Sequence, residues 1–394
     1  MSRSWPAVAL AVLLLARPTV ADPGPPSDAD AVLDAEIARL RGRYLRDREA
    51  AEKAIAALGE AAVPRVAALL ADTDPRVQRA AVAILGSIGT VAAIRPLIPL
   101  LDHPDESIAS SVRGSLLRAG NRVRPALTEA LKDQTLGEDA LAAVQELIDA
   151  SIGTEIEEVF ARQFTANGES GFYSGQFAEL EGRQEEVGPV LRKMFAGTYD
   201  WSRAGANEGR FRLLAADAMG DLKIEACASD LRMAFDSGAF GSENAAFALY
   251  KMGEKGPAQE MERLLLKELE EAEGGGREAT RQNLAELYAR IGDYEKTIEQ
   301  YRAMGDGGRR SYVNYYNTAC ALSMMGKKDE AVAELRKAVD QGYSNLEWLL
   351  IDGDLNGIRG EKGYREIVKD LGGTVDPENG RPLPEEPPPD GRSD

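Results

Sequence analysis

The feature that most constrains the fold of this chain is internal repetition. Glycines recur at Gly59, Gly89 and Gly120, and each precedes a segment that begins near a proline and ends in leucine. Those segments cover residues 62–70, 94–101 and 123–131. Self-similarity at a fixed period is typical of stacked helical repeats, in which each repeat contacts mainly its neighbours. We therefore predict an all-α chain that forms an α-α superhelix, or solenoid.

Each repeat between residues 46 and 132 is predicted to contain two helices. The first carries apolar residues at helical spacing, as in Val77, Ala80 and Ile84. It ends at glycine, because glycine enters the left-handed conformation at a helix C-terminus without strain. The second begins near a proline, whose missing N–H costs nothing in the first turn. Asp74 and Asp105 are predicted to cap the N-termini of the following helices.

The best-preserved repeat carries a family resemblance. Residues 81–89 (AVAILGSIG) followed by 94–101 (IRPLIPLL) resemble a HEAT-like repeat of the short type also found in phycobilin lyases. The resemblance implies paired helices that bind other proteins. It does not extend to lyase activity, because the matching residues are packing residues. We predict a HEAT-like array over residues 28–270, regular over 46–135 and degenerate over 136–270.

Further predictions concern the segments that precede and follow the regular repeats. Residues 28–58 contain no proline and are predicted to form one polar capping helix. Within the degenerate part, Gly153 and Gly220 are predicted to end helices, as glycines do in the regular repeats.

A second repeat, with a period of 34 residues, follows. The recurring residues are Asn283, Ala285 and Gly292, then Asn317, Ala319 and Gly326. This part resembles two tetratricopeptide (TPR) repeats, and residues 342–367 resemble the unit that often caps them. We predict this domain over residues 277–370. The acidic, glycine-rich run at 271–276 (EAEGGG) is predicted to be a flexible linker before it.

The TPR resemblance implies a peptide-binding groove. The positions that match the groove of family members are Gln282, Glu286, Arg290, Tyr316 and Asn317. Asn317 matches an asparagine of the clamp that some members use for a peptide's terminal carboxylate. Gln282 and Glu286 stand where that clamp has lysine and asparagine, and Glu286 would repel a carboxylate. The resemblance therefore implies a peptide site with a different preference.

The repeat pattern fails over residues 165–204, where aromatic residues concentrate. The candidate patch comprises Phe172, Tyr173, Phe177, Tyr199 and Trp201. Irregular insertions in repeat proteins often lie on the binding face, and exposed aromatic side chains are common binding anchors. The alternative, which we favour, is that these rings fill a local core at a kink.

The charge of the chain limits its partners. Its formal net charge is −18, and residues 136–394 carry 30 basic and 49 acidic side chains. Such acidity argues against nucleic acid and against an anionic membrane surface, since both need a basic face. It favours solubility and a basic protein or peptide partner.

Histidine and cysteine are too scarce for most catalytic and metal sites. The single histidine, His103, lies in a turn without a nucleophile pattern, and Cys227 and Cys320 are predicted to be buried and unpaired. Residues 352–357 (DGDLNG) match the first half of an EF-hand loop, but Gly363 stands at the twelfth position, where calcium needs glutamate. No catalytic residue, metal or cofactor is predicted.

The two ends of the chain are predicted to lie outside the folded repeats. Residues 1–21 combine Arg3, a ten-residue apolar run and small residues before Asp22, as in a secretory signal peptide. No later stretch is apolar for long enough to insert into a membrane after signal cleavage. Residues 372–394 are acidic and proline-rich and are predicted to be disordered. We expect export to the periplasm or the extracellular space.

These observations favour an exported, non-catalytic scaffold that binds a protein or peptide through its solenoid grooves. Two alternatives stay open. One is a maturation factor or lyase-type enzyme of the HEAT-like class, which would need a pocket with titratable groups. The other is a cell-envelope binder of carbohydrate or calcium.

Overall fold

A computed structural model describes residues 28–163, 175–201, 207–304 and 311–376. The described residues form α-helices and short 3-10 helices and contain no β-strand, so the predicted all-α solenoid is confirmed. The chain divides into two compact units, Met1–Ser151 (unit 1) and Ile152–Asp394 (unit 2). The predicted signal segment and residues 377–394 of the predicted tail lie outside the described residues.

Unit 1 consists of short helices in sequential pairs. In chain order they are α1 Asp28–Leu40, α2 Leu45–Ala57, α3 Val63–Ala68, α4 Pro75–Ile88, α5 Val91–Ile94, α6 Glu106–Ala119, α7 Arg124–Ala130 and the first part of α8 Glu138–Ala161. The 3-10 helices Gly59–Ala62, Leu69–Ala71, Arg95–Asp102 and Gly120–Val123 extend the second helix of each pair. The first helices of successive pairs, α2, α4 and α6, pack on one another and bury the core.

The predicted turn chemistry of the regular repeats is confirmed. Gly59, Gly89 and Gly120 all have positive φ angles, of 62°, 67° and 59°. The Asp74 carboxylate accepts a hydrogen bond from the Arg76 amide, and Asp105 accepts one from the Ser107 amide, each at 2.9 Å. These contacts satisfy amide groups that would otherwise lack partners at the helix starts.

The predicted single helix over residues 28–58 is wrong, because the chain bends between α1 and α2. At this bend the Arg48 guanidinium donates to the carbonyls of Gly42 and Arg43, at 3.0 and 3.2 Å. Within the described residues no single helix is long and apolar enough to cross a membrane. The pair Leu45–Ala57 and Gly59–Ala71 reaches that length and hydropathy only jointly, across a bend of 115°.

Unit 2 continues the pairwise stacking with longer helices. After the last part of α8 come α9 Gln184–Ala196, α10 Glu208–Asp221, α11 Ala228–Asp236, α12 Ser242–Lys251, α13 Gly256–Glu271, α14 Gly274–Ile291, α15 Tyr294–Met304, α16 Ser311–Met324, α17 Lys328–Asp340, α18 Leu346–Ile351 and α19 Lys362–Asp370. Short 3-10 helices cover Ala178–Leu180, Glu225–Cys227 and Gly353–Leu355. The pairs α14–α15 and α16–α17 are helical hairpins with glycine at the turn, Gly292 and Gly326, in the left-handed region.

Two glycines predicted to end helices have a different role. Gly153 lies inside α8, where an added Cβ would come within 2.6 Å of the Tyr199 ring carbon Cζ. Gly220 lies in the last turn of α10, and the left-handed residue that follows is Lys223, with a φ angle of 51°. A Cβ on Gly220 would lie 2.8 Å from the Ala248 Cβ of α12. Both glycines therefore permit close packing rather than helix termination.

The glycine-rich run at 271–276 is not the predicted linker. Helix α13 ends at Glu271 and α14 begins at Gly274, so the run supplies a short turn and the first residues of a helix. The Arg277 guanidinium donates to the carbonyls of Leu269 and Ala272 and thereby caps the end of α13. The domain boundary predicted at residues 271–276 stays a prediction. The division of the chain into two compact units falls within α8.

We predict opposite effects on stability for two glycine-to-alanine changes. Gly220 lies where α10 and α12 approach closely, whereas Gly114 has more space around it. Gly220→Ala is expected to lower the unfolding free energy by about 1–3 kcal/mol, because the new methyl group overlaps Ala248. Gly114→Ala, within α6, is the matched control and should stabilise by about 0.5–1 kcal/mol, since only the flexible Arg118 side chain lies near the added Cβ. Urea unfolding of both variants measures the difference. Equal effects would contradict the tight contact.

Candidate functional site

Unit 2 contains a groove with a volume of about 1330 Å³. Its lining comes from α10, α12, α14, α15, α16 and α18 and from the residues that precede and follow α18. All five residues predicted from the TPR resemblance line it, namely Gln282, Glu286, Arg290, Tyr316 and Asn317. The structure thus brings together side chains that are up to 35 positions apart in the sequence.

Arg290 forms the centre of a buried polar cluster beneath the groove. Its guanidinium pairs with Asp217 of α10 and lies 4.3 Å from the centre of the Phe247 ring. The Asn244 side chain donates to both Asp217 oxygens, at 3.0 and 3.1 Å. Burial raises the pKa of Asp217, and the Arg290 charge opposes that rise. Arg290 therefore holds three helices together, and its charge is already neutralised by Asp217.

Tyr316 lines the groove, and hydrogen bonding fixes the position of its hydroxyl. The hydroxyl donates to Asp352 at 2.7 Å, and the Cys320 thiol donates to the same oxygen at 3.5 Å. The other Asp352 oxygen accepts the Asp354 amide at 3.0 Å. Burial raises the pKa of the Tyr316 hydroxyl well above its usual value, so it stays a proton donor.

These hydrogen bonds account for the acidic segment at residues 352–357 without a calcium ion. Asp352 caps the 3-10 helix Gly353–Leu355, and the Arg359 side chain donates to the Asp352 carbonyl at 3.0 Å. Throughout the described ranges, no group of three or more histidine, cysteine, aspartate or glutamate side chains is placed to hold a metal.

The remaining predicted residues differ in their access to a ligand. The Gln282 and Glu286 side chains are exposed and one helical turn apart on α14. Asn317 is half-buried and donates to the Tyr301 hydroxyl at 2.9 Å. Burial raises the pKa of Tyr301 to about 12, so this hydroxyl also stays protonated. Gln282 and Glu286 are therefore the predicted residues best placed to contact a ligand.

Three further aromatic residues, Tyr312, Tyr343 and Trp348, form an aromatic wall of the groove. This wall was not predicted as a site from the sequence. Tyr343 stacks on Tyr316 with ring centres 4.5 Å apart and planes at 18°, and Tyr312 lies 6.3 Å from Tyr343. Trp348 of α18 lines the same groove. The sequence placed Tyr343 and Trp348 in a capping unit, and nothing in their spacing shows that the cap also faces the groove.

The aromatic patch around residues 165–204 packs on itself where it is described. Phe177 is buried and meets Phe160 edge-on at 5.8 Å. Tyr199 and Trp201 are half-buried with ring centres 4.9 Å apart, and Trp201 lies 6.1 Å from Phe211. The other two predicted members, Phe172 and Tyr173, lie outside the described residues. These rings form a local core beside α8 and α10.

The two cysteines are free and buried, as predicted. Burial raises the pKa of Cys227 to about 11 and that of Cys320 well above its usual value. Both side chains are therefore thiols near neutral pH, which is the less reactive form.

Comparison with known proteins supports the repeat assignment of unit 1. Two overlapping stretches, residues 33–119 and 64–148, match the HEAT-repeat family model. The matched region contains helices α2 to α7, the three glycine turns of the sequence repeat, and residues 81–101, on which the sequence resemblance depended. No curated protein matches the chain. HEAT repeats generally mediate contacts between proteins, which is typical of a scaffold.

Proposed function

We propose that this protein is an exported, non-catalytic scaffold that binds an extended peptide, or an extended segment of another protein, in the groove of unit 2. One observation carries the proposal: the five residues predicted from sequence as peptide contacts line a single groove. The HEAT repeats over residues 33–148 add a second helical surface of a kind that commonly binds proteins.

The proposal includes a repeat type for the C-terminal part of the chain. We assign residues 277–370 to TPR-type repeats with an end cap. In support, the hairpin turns at Gly292 and Gly326 are 34 residues apart, with φ angles of 82° and 73°. The repeats of unit 1 would be of the short HEAT type seen in lyases, with only their packing in common. Export is supported by the composition of residues 1–21.

The groove suits an extended chain in size and in chemistry. A volume of about 1330 Å³ exceeds a typical small-molecule pocket of roughly 300–1,000 Å³. Exposed amide and carboxylate groups at Gln282 and Glu286 can pair with backbone and polar groups of a peptide. The rings of Tyr312 and Trp348 offer contact area with few rotatable bonds, as binding anchors do.

A selection experiment tests the groove directly. Dodecapeptides are selected from a displayed random library on the purified protein, and the affinity of synthetic versions is measured by fluorescence anisotropy. Gln282→Arg combined with Glu286→Arg is expected to weaken binding at least about tenfold, or about 1.4 kcal/mol, because both side chains reach into the groove.

The matched control combines Gln259→Arg with Glu270→Arg on α13. Both side chains are exposed and neither lines the groove. It carries the same change in charge and should bind within about twofold of the unmodified protein. Equal affinities of the two double variants, or failure to select any peptide, would overturn the proposed function.

A further inference from the structure

The turn that ends α10 has a lysine where a helix end of this kind normally has glycine. The Lys223 amide donates to the Gly220 carbonyl at 3.1 Å, and the Ile224 amide donates to the Met219 carbonyl at 3.0 Å. This pair of hydrogen bonds ends a helix with one residue in the left-handed region, which favours glycine. Lys223 has a φ angle of 51° and is the one residue other than glycine with a positive φ angle in the described ranges.

Glycine occupies the corresponding position at seven other helix ends in the described part of unit 2, with φ angles between 60° and 102°. At each of them the same two hydrogen bonds form. The seven positions are Gly197, Gly238, Gly253, Gly292, Gly326, Gly342 and Gly372. A side chain is strained in the left-handed region, because its Cβ crowds the following carbonyl oxygen. The turn itself therefore does not require lysine at position 223, and a strained residue of this kind points to a role for its side chain.

The Lys223 side chain is exposed and lines the groove. The other basic side chains of the lining, those of Arg210, Lys251 and Arg290, all interact with other groups of the protein. No hydrogen bond or ion pair with another described residue engages the Lys223 ammonium group. Lys223 is therefore the cation of the groove lining that is available to a ligand.

The acidic side chains near this end of the groove leave Lys223 accessible. Those that α10 and α14 contribute to the lining are Asp221 and Glu286. Asp221 forms an ion pair with Lys251 of α12 rather than with Lys223. Glu286 lies on α14 and is exposed. A carboxylate can thus reach Lys223 without breaking an ion pair of the protein.

We infer that Lys223 contacts the carboxylate of an aspartate or glutamate side chain in the bound peptide and makes the groove selective for it. This inference rests on the proposed function and names the chemistry of one ligand side chain. A hydrogen bond from an ammonium to a carboxylate is stronger than one between neutral groups. The net charge of −18 disfavours a ligand that is acidic throughout, so we expect one carboxylate at a fixed position.

The test uses peptides selected from the displayed library and synthesised with amidated C-termini, so that only side chains carry carboxylates. Most of them should contain aspartate or glutamate at one shared position. One peptide is then made with glutamate, glutamine or lysine there, and the dissociation constants are measured by calorimetry at low salt. Replacing glutamate by glutamine should weaken binding about 3- to 10-fold, and lysine should bind more weakly still. The difference should shrink in about 0.5 M salt, because ions screen exposed charges.

Variants of the protein assign the preference to Lys223. Lys223→Gln should reduce the ratio of glutamate to glutamine affinity to about one, while the affinity for the glutamine peptide changes less than about twofold. Lys223→Arg should keep the preference, and Lys223→Glu should favour the lysine peptide over the glutamate peptide. Lys267→Gln is the matched control, because Lys267 is an exposed residue of α13 outside the groove. It should leave the ratio unaltered.

Lys223→Gly separates the role of the side chain from that of the backbone. It removes the ammonium group and also relieves the left-handed strain. The preference for glutamate should therefore disappear, while the melting temperature stays equal or rises by up to about 4 °C. A lower melting temperature would contradict the strain on which the inference is built and would overturn it.

The remaining outcomes separate this inference from the proposed function. If no peptide binds the groove, the proposed function fails. If peptides bind but glutamate and glutamine are equal, the inference is overturned and the proposed function stands. The same conclusion follows if Lys223→Gln or Lys223→Gly keeps the preference of the unmodified protein.

Discussion

Arg290→Met is expected to lower the unfolding free energy by about 3–5 kcal/mol, because it leaves the Asp217 carboxylate buried without its charge partner. Arg290 and Asp217 side chains are only 9% and 5% exposed, so water cannot replace the lost contact. Methionine keeps most of the apolar length of arginine. The loss therefore reports on the ion pair more than on packing, and urea unfolding at neutral pH measures it.

The matched control is Arg263→Met. Arg263 pairs with Glu260 one turn away on α13, but its side chain is 63% exposed. An exposed pair of this kind contributes about 0–1 kcal/mol. Adding Asp217→Asn to Arg290→Met should recover part of the lost stability, since no buried charge then remains. A similar cost for both single variants would contradict the assigned role of Arg290.

The same variant should show an altered pH dependence. Burial raises the pKa of Asp217 in the folded protein, and Arg290 is the largest opposing influence. Its removal should raise that pKa further above the unfolded value of about 3.9. A raised folded pKa means that protonation favours the folded state. The deficit of Arg290→Met should therefore shrink as the pH falls from 7 through the folded pKa toward about 4.

The repeat architecture could be predicted because each repeat is specified locally. Helical spacing of apolar residues and a glycine with positive φ recur within every regular repeat, and aspartate caps begin α4 and α6. Such signals lie within a few residues of each other. They can therefore be recognised from the sequence without knowledge of what the chain packs against.

Two of the errors arose where a glycine permits the close approach of a residue distant in sequence. Gly153 and Gly220 match the pattern of helix-ending glycines, but each lies where another segment approaches closely, at Tyr199 and Ala248. Sequence spacing does not reveal such approaches. The same limit applies to the site: the TPR resemblance supplied Gln282 and Glu286, whereas the groove-facing roles of Tyr343 and Trp348 depend on how the end cap folds back.

Phe160→Ala is expected to cost about 3–5 kcal/mol, because it opens a cavity at the centre of the aromatic core of unit 2. The Phe160 side chain is fully buried in α8 and meets Phe177 and Phe211 edge-on, at 5.8 and 5.6 Å. Phe240→Ala removes the same group from a residue that is 50% exposed and lies under the Arg212 guanidinium. It should cost about 1 kcal/mol or less, chiefly the lost cation–π contact.

A milder change at the same position decides between a core and a binding surface for the aromatic patch. Phe160→Leu keeps most of the apolar volume and should cost less than about 1.5 kcal/mol, so the variant stays folded. Phe160 does not line the groove of unit 2. The affinity of Phe160→Leu for the selected peptides should therefore equal that of the unmodified protein. A loss of affinity without a matching loss of stability would instead place the patch in the binding surface.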